Sequence, residues 1–185
     1  GNVEIACRAV LKRLNTTYLD LYLIHWPFSF VPDDNDLSTA KRDVHGDPVK
    51  IDITLSAVWS GMERLVDKGL VRCIGLSNFT RNDIDSILKS ARIRPAVLQI
   101  ESHPWLPQQE LIDFCTSKGI KVEAYSPLGT SLLLKDEVVK RLARDLNATP
   151  AQVLLAFARQ RGLIALCKTG DSNRLLENIN AITLN

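Results

Sequence analysis

Short apolar runs alternate with amphipathic segments along this 185-residue chain, and this alternation constrains its fold more than any other feature. The run Tyr18–His25 reads Y-L-D-L-Y-L-I-H, which predicts a strand that is buried on both faces. We expect this strand to end before Pro27, because proline has no N–H group to donate to a sheet ladder. Four later runs predict further strands: Val71–Leu76, Ala96–Ile100, Ile120–Ala124 and Leu163–Leu166.

The segments between these runs carry apolar residues at helical spacing, and two of them begin with clear capping signals. Thr80 with Asp83 forms a near capping box, and Thr149-Pro150 with Gln152 is a strong helix start. The predicted helices cover the apolar positions of residues 3–14, 55–66, 84–91, 111–115, 138–146, 149–162 and 175–179.

This order gives five β-α units, which is typical of an α/β fold with a parallel sheet. No G-x-G-x-x-G follows any of the runs, which argues against a Rossmann domain. A (β/α)8 TIM barrel is the better candidate, although such a barrel needs eight strands to close. We therefore expect that residues beyond both ends, or another chain, complete the barrel.

Composition excludes several classes of function. The net charge is +2 and no long basic run is present, so neither nucleic acid nor an anionic membrane surface is predicted as a partner. No apolar stretch reaches the roughly 18 residues that span a bilayer, and the first residues resemble a helix rather than a signal peptide. The four cysteines are widely spaced, which predicts reduced core thiols in a cytoplasmic protein: Cys7, Cys73, Cys115 and Cys167.

A long polar connection, residues 28–54, follows the first strand, and such loops commonly shape a binding site. Polar side chains also follow each predicted strand, and the carboxyl ends of parallel strands meet at one rim, where α/β folds bind ligands. The residues at this rim are His25, Ser77, Asn78, Gln99, Glu101, His103, Tyr125, Ser126, Lys168 and Thr169.

Two chemical interpretations of this rim find little support in the sequence. No G-x-S-x-G motif or partner acid for His25 indicates a hydrolase. His25, Glu101 and His103 lack the close spacing of a metal site. A hydrogen-bonded histidine at a strand end remains the alternative for His25.

The segment K-T-G-D-S-N-R, residues 168–174, is more informative. A lysine, a glycine turn and a helix start together present positive charge and backbone N–H groups, which is how proteins hold phosphate. Arg174 in the first turn of a helix is unfavourable for the helix dipole, and this position suggests a nearby anion. A solvated helix end is the alternative.

Six segments occur in an order that resembles the aldo-keto reductases, NADPH-dependent (β/α)8-barrel enzymes. They are L-D-L-Y-L-I-H-W-P, G-L-S-N-F, Q-I-E-S-H-P-W-L, A-Y-S-P-L-G, T-P-A-Q-V-L-L and K-T-G-D-S-N-R-L-L-E-N. The resemblance covers essentially the whole chain and is closest to the aldose and xylose reductase branch. It implies that residues 1–185 are a single partial barrel domain that contains strands 4 to 8.

The resemblance also implies a role for each matching residue. His25 would polarise the carbonyl group of a small-molecule substrate, and Trp26 would line the substrate pocket. The residues that would bind NADPH are Ser77, Asn78 and Gln99 at the nicotinamide carboxamide, Tyr125 on the nicotinamide ring, Ser126, Leu128 and Thr130 at the pyrophosphate, Lys168, Thr169 and Arg174 at the 2′-phosphate, and Glu177 and Asn178 at the adenine. The full-length protein would be a monomeric NADP(H)-dependent oxidoreductase that reduces aldehydes or ketones to alcohols.

The sequence departs from the family pattern in several places. The family's catalytic aspartate, tyrosine and lysine would precede Gly1, so His25 is the only catalytic group present and we expect the chain alone to be inactive. A non-catalytic NADPH-binding or regulatory protein that needs a partner chain is the alternative. Cys167 replaces a proline, and Ser131 and Leu132 occupy the region of an acidic residue that lies over the pyrophosphate, which suggests faster cofactor release.

Overall fold

The structure is a computed structural model and describes residues 2–33 and 39–181, in two compact units, Gly1–Ala96 and Val97–Asn185. The predicted α/β class with parallel strands is confirmed, and each predicted strand has a counterpart whose ends differ by at most one residue. The barrel and its number of β-α units stay predictions. Among the described residues, no helix combines the length and the apolar character needed to cross a membrane.

The first unit pairs two parallel strands and packs helices beside them. Its elements are α1 (Asn2–Leu14), β1 (Leu19–Ile24), β2 (Ser29–Phe30), β3 (Lys50–Ile51), α2 (Leu55–Asp67), β4 (Val71–Ser77) and α3 (Arg81–Leu88). The register of β1 and β4 runs from Leu19 opposite Val71 to Ile24 opposite Leu76, so both strands end at the same level. The core of this unit includes Trp59, Met62, Leu65, Ile74, Leu76, Ile84 and Ile87.

Caps set the helix boundaries of this unit. Thr54 accepts the N–H of Ala57 and begins α2, while Gly69, at φ +66°, follows its end. The capping box predicted before α3 is complete, because Thr80 and Asp83 satisfy each other's backbone N–H groups.

The prediction that the first strand is buried on both faces is wrong. The residues of β1 are half-buried, apart from Asp20, which is exposed and pairs with Arg72 at 2.7 Å. Among the described residues of the first unit, β1 forms a ladder with β4 alone, so no strand of this part of the chain covers its other edge.

The connection predicted as a long loop, residues 28–54, contains an antiparallel ribbon. Ser29 pairs with Ile51 and Phe30 with Lys50, and Val31 continues the ladder by donating its N–H to Val49. Part of this connection, residues 34–38, lies outside the described residues, as does the end of the chain beyond Ala181.

The second unit has three parallel strands with helices between them. Its elements are β5 (Val97–Glu101), α4 (Gln109–Ser117), β6 (Lys121–Tyr125), the first 3₁₀ helix (Gly129–Ser131), the second 3₁₀ helix (Leu133–Lys135), α5 (Glu137–Asp145), α6 (Pro150–Gln160), β7 (Ile164–Leu166) and α7 (Ser172–Ile179). β6 lies between β5 and β7, with Glu101 opposite Tyr125 and Tyr125 opposite Leu166. The register therefore brings the carboxyl ends of the three strands to one level.

The helices of this unit pack around a separate small core. Leu133 is 1% exposed and lies with Val139 and Ala143 of α5 and with Val153 and Leu154 of α6. The start of α6 has the predicted capping box of Thr149 and Gln152 with Pro150 at the first helical position.

The prediction of reduced core thiols holds only in part. All four cysteines are free, and Cys7 and Cys115 are buried, but Cys73 is exposed and Cys167 is half-buried. Cys73 lies beside Arg72 near the start of β4, where these two neighbouring residues are the exposed positions of a strand that is otherwise buried.

Candidate cofactor and substrate site

His25 follows β1 and begins a row of aromatic rings. Its ring stacks on Trp26 at a centroid distance of 5.8 Å, and Trp26 stacks on Phe28 at 5.7 Å with an interplanar angle of 12°. Phe28 in turn meets Phe30 edge-on at 5.4 Å. The His25 imidazole is exposed and forms no hydrogen bond within the described residues, which removes the support for a hydrogen-bonded structural histidine. This surface offers a hydrogen-bonding imidazole beside apolar rings.

Asn78 joins the ends of β1 and β4. Its Nδ2 donates to the backbone oxygen of His25 at 3.0 Å and to Ser77 Oγ at 3.1 Å. Asn78 adopts φ +62°, a conformation that asparagine tolerates better than most residues, and Ser77 is buried. Two of the three residues predicted at the nicotinamide carboxamide therefore lie next to the predicted catalytic histidine.

Gln99 on β5 is held by a partner that the sequence reasoning missed. Its Nε2 donates to Glu123 Oε2 at 2.9 Å, and the two residues are opposite each other in the β5–β6 ladder. Glu123 is only 8% exposed. With Nε2 held there, the side-chain oxygen of Gln99 is the group that can accept from a ligand. A single acid inside the apolar run K-V-E-A-Y is the sequence signal that could have indicated Glu123.

Glu101 and His103, which the sequence places at the same rim, pair with each other. His103 Nε2 lies 3.3 Å from Glu101 Oε1, while the buried Nδ1 of His103 has no hydrogen-bond partner among the described residues. Burial, and next the Glu101 carboxylate, raise the pKa of Tyr125, which favours its neutral phenol. In the described part of the chain, no three histidine, cysteine or acidic side chains are grouped so that they could hold a metal ion.

Two adjoining cavities follow the strand ends of the second unit. The β7 cavity, of about 590 Å³, has Gln99 and Tyr125 in its wall and continues along Ser126, Thr130 and Cys167. The α7 cavity, of about 660 Å³, lies between the second 3₁₀ helix, the start of α6 and α7. Both are lined by Leu128, Ser131 and Lys168.

The structure brings together every residue of the second unit that the sequence assigns to the cofactor. In the β7 cavity these are Gln99, Tyr125, Ser126, Leu128, Thr130 and Lys168, and in the α7 cavity they are Leu128, Lys168, Thr169, Arg174, Glu177 and Asn178. Each cavity lies within the volume range of small-molecule sites. The residues of this unit that are predicted at the nicotinamide and the pyrophosphate thus line the β7 cavity, and those predicted at the 2′-phosphate and the adenine line the α7 cavity, while their roles stay predictions.

The backbone between these cavities is unusual. Ser126, Thr130 and Ser131 have φ values of +50°, +51° and +71°, and all three line a cavity. Left-handed conformations of this kind cost free energy for residues other than glycine and cluster at ligand sites. These three left-handed residues turn the chain sharply after β6, so that the 126–131 segment forms part of the cavity walls.

The structure corrects one detail of the predicted phosphate segment. Asp171 caps α7 and its Oδ1 accepts the N–H groups of Asn173 and Arg174, at 2.8 and 3.1 Å. These hydrogen bonds, that of Arg174 first, lower the pKa of Asp171, so the carboxylate stays charged at neutral pH. Two of the helix N–H groups that the sequence offered to a phosphate are therefore occupied by this carboxylate and are not available to a ligand.

Comparison with known proteins gives a consistent family. The sequence model described as the Aldo/keto reductase family matches residues 1–185. The chain is 44% identical over 189 residues to "Aldo-keto reductase family 1 member A1" of Sus scrofa, covering 96% of this chain and 57% of the relative. The human protein of the same description is 43% identical over 188 residues, with the same coverage.

A solved structure agrees with these sequence relatives. The aldose reductase of Schistosoma japonicum is 42% identical and superposes with a TM-score of 0.93, covering 99% of this chain and 60% of that protein. The chain thus spans a little over half the length of the relatives that it matches.

Proposed function

Because the chain belongs to the aldo/keto reductase family, we propose that its two adjoining cavities bind NADPH for the reduction of an aldehyde or ketone to an alcohol. The observation that carries this proposal is the lining of the cavities. Amide and phenol groups lie at the β7 end, and Lys168 and Arg174 lie at the α7 end. This distribution suits a ligand with a neutral aromatic group at one end and a phosphate at the other.

Each group of the cofactor has a chemically suitable partner. Gln99 offers its side-chain oxygen to the carboxamide, and Tyr125 offers a neutral ring for stacking on the nicotinamide. Lys168 and Arg174 supply positive charge for a 2′-phosphate, which favours NADPH over NADH. When bound, the cofactor supplies the hydride.

His25 is proposed to act on the substrate in the first unit. Its exposed imidazole donates a hydrogen bond to the carbonyl oxygen and draws electron density from the carbonyl carbon. The stacked rings of Trp26 and Phe28 would contact the apolar part of a small-molecule carbonyl substrate. A cytoplasmic location, a monomeric full-length protein, a single domain over residues 1–185 and five β-α units of a barrel belong to the same proposal.

The chain by itself is proposed to bind nucleotide without turnover. By the family resemblance, the proton-donating tyrosine with its lysine and aspartate has no counterpart within residues 1–185. A non-catalytic NADPH-binding role is the second candidate, and the exposed apolar residues of α7 favour it because they would suit a partner chain. They are Leu175, Leu176 and Ile179, which are 52%, 61% and 70% exposed.

The decisive experiment is calorimetric titration of the purified chain with NADPH and with NADH. We expect saturable binding that is about 10-fold tighter for NADPH, because only NADPH carries the 2′-phosphate. Lys168→Gln should remove most of this preference. Lys140→Gln makes the same change of charge on α5, where the ammonium is 2.9 Å from Glu137, and should bind like the wild type.

Turnover is measured separately, as NADPH oxidation in the presence of a reactive aldehyde. We expect none from residues 1–185. The cofactor proposal is rejected if the folded chain binds neither nucleotide, and the absence of catalysis is rejected if NADPH is consumed in step with alcohol formation.

A further inference from the structure

The α7 cavity contains a third cation that neither the sequence motifs nor the family roles use. Lys135, the last residue of the second 3₁₀ helix, lines this cavity together with Lys168 and Arg174. These three side chains come from two separate parts of the chain. They are exposed to solvent, and none of them forms an ion pair anywhere in residues 2–33 and 39–181.

The acids in the same cavity are already engaged. The Asp171 carboxylate accepts the first N–H groups of α7, and the Glu177 carboxylate accepts the hydroxyl of Thr149. One oxygen of each carboxylate is engaged in this way, and among the described residues neither carboxylate forms an ion pair with Lys135 or Lys168. The cavity therefore has an excess of cations over acids and is suited to an anionic group.

The backbone of Lys135 is fixed before any ligand arrives. Leu133 is buried in the core of the second unit, and the N–H of Lys135 donates to Leu132 at 3.0 Å. On the other side Asp136 caps α5 through Val138 and Val139. Only the side chain of Lys135 has to be ordered on binding, which limits the entropy lost to one flexible chain.

The position of Lys135 determines which phosphate group of a bound nucleotide its ammonium group can contact. It lines the α7 cavity, where Lys168, Thr169 and Arg174 lie, but it is not part of the wall of the β7 cavity. A phosphomonoester carries a charge of about −1.5 to −2 and three acceptor oxygens, so it can use a third cation that approaches from another segment. A pyrophosphate near Ser126 and Thr130 would lie in the other cavity.

We propose that Lys135 is a further binding residue for the phosphomonoester of a 2′-phosphorylated adenine nucleotide and strengthens the selection of that nucleotide. This inference rests on the proposed function, because it places the phosphate end of the cofactor in the α7 cavity. Lys135 would thus approach the phosphate from the second 3₁₀ helix, whereas Lys168 and Arg174 would approach it from the 168–174 segment.

The test compares two probes that differ only in the 2′-phosphate, adenosine 2′,5′-bisphosphate and adenosine 5′-monophosphate. Both are titrated calorimetrically into the full chain at low and at moderate ionic strength. Lys135→Gln should weaken binding of the bisphosphate about 5-fold, as expected for the loss of one exposed ion pair, and leave the monophosphate unchanged. Higher salt should reduce the difference.

Two further variants control the comparison. Lys135→Arg keeps the charge and should bind the bisphosphate within about 2-fold of the wild type. Lys140→Gln removes a lysine of α5 that pairs with Glu137 and should bind both probes normally. Lys135 is exposed, so we expect the thermal midpoint of Lys135→Gln to equal that of the wild type.

The outcomes separate the two proposals. If the wild-type chain binds neither probe, the proposed nucleotide site itself is wrong. If the wild type binds the bisphosphate and Lys135→Gln binds it equally well, the role of Lys135 is overturned while the site stands. Equal weakening for both probes would also overturn the assignment, since it would place Lys135 at the 5′-phosphate.

Discussion

At the scale of single residues, a buried acid in the first unit accepts backbone N–H groups of a segment that lies outside the helices and strands. Glu63 is 7% exposed, and its Oε1 accepts the backbone N–H groups of Arg92 at 2.7 Å and Ile93 at 2.8 Å. The Trp59 indole N–H donates to the oxygen of Ile93 at 2.9 Å. Two side chains of α2 therefore fix the backbone at residues 92–93, which follow α3.

The predicted consequence is that Glu63→Ala lowers the free energy of unfolding by about 2–3 kcal/mol, because two backbone N–H groups lose their acceptor. Urea denaturation measures the change. Glu63→Gln keeps one acceptor oxygen and should lose about 1 kcal/mol. Asp67→Asn, also on α2, breaks only the exposed pair with Arg92 and should lose less than about 0.5 kcal/mol. Equal losses for Glu63→Ala and Asp67→Asn would contradict this role of Glu63.

The thiols provide a second prediction at this scale. Burial raises the pKa of Cys115 to about 11, so only about one in a thousand of its thiols is ionised at pH 8. Cys73 is exposed, and we expect it to react quickly with an aromatic disulfide reagent. Cys115 is buried and should react only after the chain unfolds. Above about pH 9 the unfolded thiol ionises before the folded one, so Cys115 lowers stability as the pH rises toward 11.

A variant pair assigns the phases of the labelling time course. Cys73→Ser should remove the fast phase, and Cys115→Ser should leave it unchanged. Rapid labelling of Cys115 in the folded chain would contradict this prediction, because it would show that the buried face of α4 becomes accessible to the reagent without unfolding.

At the scale of secondary structure elements, the two 3₁₀ helices depend on a close approach. A Cβ atom on Gly129 would lie 2.6 Å from Leu133 Cδ1 and 2.8 Å from its Cγ, and Gly129 has φ +54°. Leu133 is 1% exposed within the core of the second unit, so it has no room to move away. Gly129 thus permits the turn that brings Thr130 and Ser131 to the cavities.

Gly129→Ala is therefore expected to lower the free energy of unfolding by about 2–4 kcal/mol, from the clash together with the left-handed backbone. The matched control is Gly119→Ala. Gly119 also has a positive φ, +74°, but no atom lies within 4 Å of an added Cβ, so its loss should be about 1 kcal/mol. Denaturant titration of both variants gives the difference, and a Gly129→Ala loss no larger than that of Gly119→Ala would reject the clash.

Elements whose signals are local were predictable from the sequence. The capping boxes at Thr80 and Thr149 and the ends of all five parallel strands depend on residues a few positions apart. The half-buried state of β1 was not predictable, because it depends on which strands are paired with it rather than on its own apolar run. The ribbon of β2 and β3 joins residues some 20 positions apart and has no strong turn signal.

The candidate site shows the same division. The residues taken from motifs, such as Lys168 and Tyr125, line the cavities, but Glu123 and Lys135 belong to no motif and were missed. Their positions depend on the ladder register and on the packing of a 3₁₀ helix, which are properties of the folded chain and not of a local sequence pattern. The Asp171 cap was a foreseeable competitor for the N–H groups of α7, since aspartate is a preferred N-cap residue.

At the scale of the whole molecule, the proposed cofactor residues fall in both compact units. The family resemblance assigns Ser77 and Asn78 to the nicotinamide, and these belong to the first unit, whereas the cavity-lining residues belong to the second. A ligand that binds only the folded state stabilises it by about 2.7 kcal/mol at a concentration 100 times its Kd. Local protection from hydrogen exchange can show where such a ligand acts.

We expect NADPH at this concentration to slow backbone hydrogen exchange at residues 126–131 and 168–174 and also at Ser77 and Asn78, measured by mass spectrometry of peptic fragments. Adenosine 2′,5′-bisphosphate, which has no nicotinamide, should protect 168–174 and leave Ser77 and Asn78 unprotected. This comparison separates direct contact from general stabilisation, because general stabilisation would slow exchange with both ligands. The ribbon residues 41–51 serve as the internal control and should exchange at the same rate throughout.

The pattern of protection decides the roles separately. If NADPH protects only the second unit, the assignment of Ser77 and Asn78 is wrong, while the nucleotide site of the two cavities stands. If the bisphosphate protects both units equally, the protection reports coupling through stability rather than contact, and the carboxamide roles lose their support. If NADPH protects neither unit, the cation-lined α7 cavity does not hold the cofactor, and the positive charges of Lys135, Lys168 and Arg174 require another explanation.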